Sequence, residues 1–88
     1  MNKTPTLSII TVIYNDCAGL KETYASIQSQ QFTDYEWIVI DGGSNDGSAA
    51  FLTHHNDQIS YWVSEADNGI YDAMNKGLAH ATGNWVTF

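Results

Sequence analysis

Residues 7–14, Leu-Ser-Ile-Ile-Thr-Val-Ile-Tyr, form a β-branched, nearly unbroken apolar run. A strand with one face in water alternates apolar and polar residues. A strand without that alternation must be covered on both faces, as in a parallel sheet with helices above and below. Similar runs return at Glu36–Ile40, Ile59–Ser64 and Trp85–Phe88. Helical spacing fills the gaps between them. Leu20, Tyr24 and Ile27 recur at i, i+4, i+7, which predicts an amphipathic helix over about residues 18–30, with Asn15-Asp16 able to cap it. A short helix holds Ala49, Ala50, Phe51 and Leu52, with Asp46 or Ser44 as its cap. A third has Ile70, Met74, Leu78 and Ala81 as its apolar face, an Asp72–Lys76 pair four residues apart, and Gly83 just beyond its end. The order β-α-β-α-β-α-β predicts an α/β fold, an open, mostly parallel twisted sheet with helices on both faces and right-handed crossovers.

Strands that run in one direction end at one edge, and ligands of open α/β sheets bind in the crevice beyond that edge. The first three strands end here in Tyr14-Asn15-Asp16, Asp41-Gly42-Gly43-Ser44 and Glu65-Ala66-Asp67. Each apolar run therefore delivers polar groups to the same place. Glycine permits positive φ and close approach of a ligand. Asp41 is a fixed acceptor suited to a base N–H or a ribose hydroxyl. The alternative is that Asp41 and Ser44 only bond the loop backbone in an Asx-type turn. Asp46 reads first as a helix cap.

Other motifs are excluded by spacing. No Lys follows the glycines, so "DGGSNDGS" is no Walker A loop, and it lacks the G-x-G-x-x-G spacing. Counted from Asp41, the sixth and twelfth positions of a calcium loop hold Asp46 and Leu52 rather than Gly and Glu. His54, His55 and His80 read as solvated helix residues, Cys17 has no base partner, and Tyr61, Trp62 and Trp85 read as core. Three Lys, no Arg and a net charge of −7 argue against a nucleic-acid or anionic membrane surface, and they permit a divalent cation. Cys17 is the single cysteine, so no internal disulfide forms. Residues 1–5 lack the apolar core of a signal peptide, and no apolar run approaches the roughly 18–20 residues of a membrane span.

Taken together, "LSIITVIYN", "QSQQFTDYEWIVIDGGSNDGS" and "SEADNGIYDAMNKGLAHATGNWVTF" resemble the start of the family 2 glycosyltransferases, which have the GT-A fold. The likeness covers nearly the whole chain and rests on the ordered set of motifs. It implies an enzyme that moves a sugar from a nucleotide-diphosphate donor to an acceptor hydroxyl, its partners being a nucleotide-diphosphate sugar and a sugar or lipid-linked acceptor. It implies that residues 1–88 are the nucleotide-binding part, with Val12, Tyr14 and Asn15 at the end of the first strand beside the base and Asp41 bonded to it. Asp67 to Asn75 would border the nucleotide, with Asn75 and Lys76 as further contacts. Asn75 could equally bond a neighbouring loop.

The chain departs from the family pattern in two places. Val12 stands where a proline is common in "P-x-Y-N". Ala73-Met74-Asn75 stands where many members have "A-R-N", so a basic contact to the diphosphate falls to Lys76 or to residues outside this chain. The D-x-D carboxylates that hold Mg²⁺ or Mn²⁺ would follow Phe88, and the base of an inverting reaction later still. The chain thus reads as a fragment cut inside its fourth strand, inactive by itself, from an enzyme of bacterial surface polysaccharide synthesis in the cytoplasm near the inner membrane. A nucleotide-binding module without transfer chemistry is the alternative. An unfinished fourth strand also leaves an open apolar edge able to self-associate.

Overall fold

The computed structural model describes residues 5–88. Four strands, β1 (Leu7–Ile13), β2 (Tyr35–Asp41), β3 (Tyr61–Ser64) and β4 (Trp85–Thr87), pair in the order β3-β2-β1-β4. Every pairing is parallel. The helices are α1 (Cys17–Ser29), α2 (Ser48–His54) and α3 (Ile70–His80), with a 3₁₀ turn at Asn56–Gln58. That turn takes up residues before Tyr61, so β3 begins two residues later than the apolar run suggested.

Period-two alternation within the apolar runs sorts side chains to the two faces of the sheet. Ile13, Trp37 and Val39 join Leu20 and Ile27 of α1 and Leu52 of α2 on one face. Ile10, Ile38 and Ile40 meet Ala73 of α3 on the other. Every residue of β2 from Trp37 to Asp41 is buried, which explains why that run shows no polar alternation. Burying an aliphatic side chain of this size contributes about 1.5–3 kcal/mol. The Trp37 indole N–H is satisfied inside the core by Thr11 Oγ1 at 2.9 Å.

On α3 the sequence-based face is displaced. Ile70 and Leu78 are exposed, and Ala73 and Gly77 form the buried stripe. A Cβ on Gly77 would lie 2.5 Å from Ile10 Cγ2, so the helix seats its smallest residues against the sheet and carries the larger apolar ones alongside. Trp85 is likewise not core, being 71% exposed, whereas Tyr61 and Trp62 pack half-buried against the two clusters. His55 is not merely solvated: its ring stacks on Phe51 with centroids 4.1 Å apart, and His80 stacks on Tyr61 at 3.7 Å.

Gly83 does not end α3 in a left-handed turn; Ala81 closes the helix in extended conformation. The glycine permits close packing instead, since a Cβ there would meet Ser8 N at 2.7 Å. Beside it, Glu36 Oε2 accepts from Ser8 Oγ at 2.5 Å, Thr82 N at 2.6 Å and Thr82 Oγ1 at 3.1 Å, while Gly83 N donates to Ser8 Oγ at 2.8 Å. Partial burial pushes the Glu36 carboxyl up, but these hydrogen bonds outweigh it and hold the group below its usual range. The cluster ties the α3–β4 turn to the start of β1.

Candidate functional site

Register brings the strand ends level. Ile13 lies opposite Asp41, and Asp41 opposite Ser64. The chain then leaves β1 and β2 in tight loops that are laced together. Asn15 adopts φ 50°, a left-handed conformation that asparagine tolerates better than most residues. From there Asn15 N donates to Ser44 Oγ at 2.6 Å, and Asn15 Oδ1 accepts from Asn45 N at 2.9 Å. Asp16 caps α1 by accepting from Gly19 N at 3.0 Å, as the sequence predicted.

Asp46 has a wider role than the cap expected of it. Gly47, at φ 98°, occupies the cap position of α2, while Asp46 Oδ1 accepts from Ser48 Oγ at 2.7 Å and Oδ2 from Cys17 N at 2.9 Å. Hydrogen bonds from the Ser48 hydroxyl and the Cys17 N–H lower the Asp46 pKa. The residue joins the first turn of α1 to that of α2.

Asp41 is fully buried. Its Oδ1 accepts from Ser44 Oγ, and its Oδ2 from Ser44 N at 3.2 Å and Ser64 Oγ at 2.7 Å. The Asx-type arrangement is therefore present, with Ser64 of β3 added to it. Ser64 could not have been paired with Asp41 from sequence, because its position depends on the order and register of the strands. Gly43, at φ 89°, lets the loop turn, and a Cβ on it would stand 3.2 Å from Ala66 N.

Above this braced floor lies a cleft of about 520 Å³, lined by Val12, Ile13, Tyr14, Gly42, Ala66, Asp67, Gly69, Ile70 and Ala73. It sits where β1, β2 and β3 end and α3 begins. Of the residues expected from sequence, Val12, Tyr14 and Asp67 meet there, and Tyr14 is 65% exposed. Asn15 and Asp41 hold the loops rather than line the cleft. Asn75 is exposed on α3 outside the lining. Lys76 turns to Glu65 Oε2 at 3.0 Å and Asp72 Oδ2 at 3.7 Å, and the Glu65 hydrogen bond raises its pKa. Gly69, Ile70 and Ala73 fall within the Asp67–Asn75 segment expected to border the nucleotide, and the seating of α3 brings its first turn over the strand ends. Among the described residues no group of three or more His, Cys, Asp or Glu side chains is arranged to hold a metal ion. These residues alone do not fit the expected Mg²⁺ or Mn²⁺.

A family model described as Glycosyl transferase family 2 matches residues 8–88. The chain belongs to this family. An uncharacterized glycosyltransferase of Mycobacterium tuberculosis is 46% identical over 89 aligned residues, which cover 100% of this chain and 34% of that protein. A putative glycosyltransferase, EpsE of Bacillus subtilis, is 32% identical over 98% of this chain and 32% of its own length. The chain thus spans about a third of the curated relatives it matches. Among solved structures, the mannosyltransferase PcManGT of Pyrobaculum calidifontis, in complex with GDP-Man and Mn²⁺, superposes with a TM-score of 0.79 and 28% identity, covering 97% of this chain and 27% of that one. TarS of S. aureus matches in fold, with a TM-score of 0.80 at 23% identity over 94% of this chain and 26% of its own. The GT-A α/β fold of family 2 is thereby established for these residues.

Proposed function

We propose that the cleft at the strand ends binds the nucleotide part of a nucleotide-diphosphate sugar, in a protein that transfers the sugar to an acceptor hydroxyl. The observation that carries this reading is the convergence of Val12, Tyr14 and Asp67 on one cleft at the C-terminal edge of a parallel sheet. Family membership and the GDP-Man of the PcManGT neighbour support it. The exposed Tyr14 ring offers a stacking face for the base. Asp41, sealed by Ser44 and Ser64, serves by keeping the floor of the cleft rigid.

The finer reading is an inverting reaction in bacterial surface polysaccharide synthesis at the cytoplasmic side of the inner membrane. A relative named as a PGL/p-HBAD biosynthesis glycosyltransferase, 35% identical over 96% of this chain, supports a biosynthetic role. The Mn²⁺ of the PcManGT complex supports a divalent ion in the whole protein, held by residues other than those described here. The 88 residues are assigned to nucleotide binding, and turnover to the whole protein.

Titration calorimetry of the chain with uridine and guanosine diphosphates tests the reading. Binding should be weak and nearly independent of added Mg²⁺ or Mn²⁺. Tyr14→Ala should weaken it by about tenfold, the lower end of what an aromatic stacked on a base contributes. The side chain is largely exposed, so the fold should be unaffected. No binding at millimolar nucleotide would refute the reading.

A further inference from the structure

Three acidic or amide side chains in this sequence are followed directly by glycine: Asp41-Gly42, Asp46-Gly47 and Asn68-Gly69. Glycine has no side chain to shield its backbone nitrogen from the carbonyl of the side chain before it, so such pairs are open to ring closure. The fold treats the three differently. Asp41 is buried with both oxygens engaged. Gly42 N donates to Ile13 O at 2.9 Å, and a Cβ on Gly42 would stand 3.2 Å from Asp67 Oδ2, so the space beside that pair is filled. Asp46 has both oxygens bound, by Ser48 and by Cys17 N. An ionised carboxylate also offers no leaving group to an attacking nitrogen.

Asn68 has none of these restraints. It is exposed, and its side-chain amide makes no hydrogen bond among the described residues. Gly69, at φ 110°, has no atom near the place a Cβ would fill, which leaves room for a ring. Its N–H donates to Asp67 Oδ1 at 3.1 Å, within the reach expected of a base for the proton it removes.

We propose that Asn68-Gly69 is a self-modification site, where Asn68 loses ammonia with Asp67 as the base. Gly69 N attacks Asn68 Cγ and passes its proton to Asp67 Oδ1. The bond from Cγ to Nδ2 breaks, and ammonia leaves carrying that proton. Water then opens the five-membered imide at either carbonyl. Cleavage between Cγ and Gly69 N gives aspartate; cleavage between the Asn68 main-chain carbonyl carbon and Gly69 N gives isoaspartate. Both products place a further carboxylate beside Asp67. Isoaspartate also lengthens the main chain by one methylene where Asn68 N donates to Asp72 Oδ2 at 3.0 Å, and so displaces Gly69 and Ile70, which line the cleft. In a last step that rests on the nucleotide reading, the modification weakens binding of a nucleotide diphosphate by charge repulsion.

Incubation of the chain at neutral pH and body temperature, followed by mass spectrometry of its peptides and labelling with isoaspartyl methyltransferase, tests the proposal. The peptide holding Asn68 should change mass from amide to acid and take the label, while those holding Asp41 and Asp46 should not. Asn68→Gln should stop the reaction, because closure then needs a larger ring. Asp67→Ser keeps an acceptor for Gly69 N but removes the base, and should slow ammonia loss at least about tenfold, a modest share for so weak a base. An Asn68 peptide unchanged after several weeks, or equal labelling of the Asp41 or Asp46 peptide, would overturn the site. A wild-type rate in Asp67→Ser with a wild-type circular dichroism spectrum would overturn the role of Asp67. Aged chain should bind uridine diphosphate several-fold more weakly than fresh chain, and equal affinity would overturn the last step. No binding by fresh chain would instead refute the nucleotide reading and leave the modification standing.

Discussion

Replacing Asp41 separates a brace from a ligand contact. Three donors point at this buried carboxylate: Ser44 N, Ser44 Oγ and Ser64 Oγ. A hydrogen bond to a charged group contributes about 1.5–3 kcal/mol net. The simple sum is an upper bound, because bonds sharing one acceptor are not additive and the variant recovers the cost of burying the charge. Asp41→Ala should therefore destabilise the fold by about 2–4 kcal/mol. That is a large share of the roughly 4–13 kcal/mol expected of 88 residues. Asp41→Asn preserves shape and one acceptor, and the serine hydroxyls can rotate to meet its amide, so its loss should be about 1 kcal/mol. Urea denaturation followed by tryptophan fluorescence reads both. With m near 1 kcal/mol/M, the Asn variant should lose about 1 M in midpoint. Nucleotide affinity should fall with stability, because the floor of the cleft loosens. An Asp41→Ala variant with wild-type midpoint and slope but no nucleotide binding would refute the brace and return Asp41 to direct contact with the ligand.

Two further outcomes follow from the packing. Gly77→Ala gains about 1 kcal/mol of helix propensity, but its Cβ would sit 2.5 Å from the buried Ile10 Cγ2. Overpacking of this kind costs about 1–3 kcal/mol, so the urea midpoint should fall; a rise would mean that α3 is not seated there. Hydrogen bonds hold the Glu36 carboxyl below the usual carboxylate range, so its contribution to stability is complete above that range and is lost as pH falls through the lowered, folded-state pKa. The difference in urea midpoint between wild type and Glu36→Gln should thus be clear at neutral pH and shrink at acid pH, below the usual carboxylate range. A difference that is the same at both pH values would exclude the carboxylate's charge as its source.

The order of elements, the parallel sheet and the placement of Tyr14 and Asp67 at one edge were legible in the sequence. Unbroken β-branched runs demand cover on both faces, and strands running one way must end together. The ends of α1 were legible too, since Asp16 caps locally. What needed the tertiary structure was everything set by distance between elements. Ala73 and Gly77 line α3's buried stripe because close approach to Ile10 outranks hydrophobicity, a choice no helical period records. Asp41 became a sealed brace because strand order and register put Ser64 beside it from 23 residues away. Gly42 and Gly43 are adjacent and chemically identical, yet one serves backbone conformation and the other serves space. Periodicity and local capping are short-range properties written into the chain. Burial and the direction of a carboxylate's lone pairs depend on neighbours that only folding supplies.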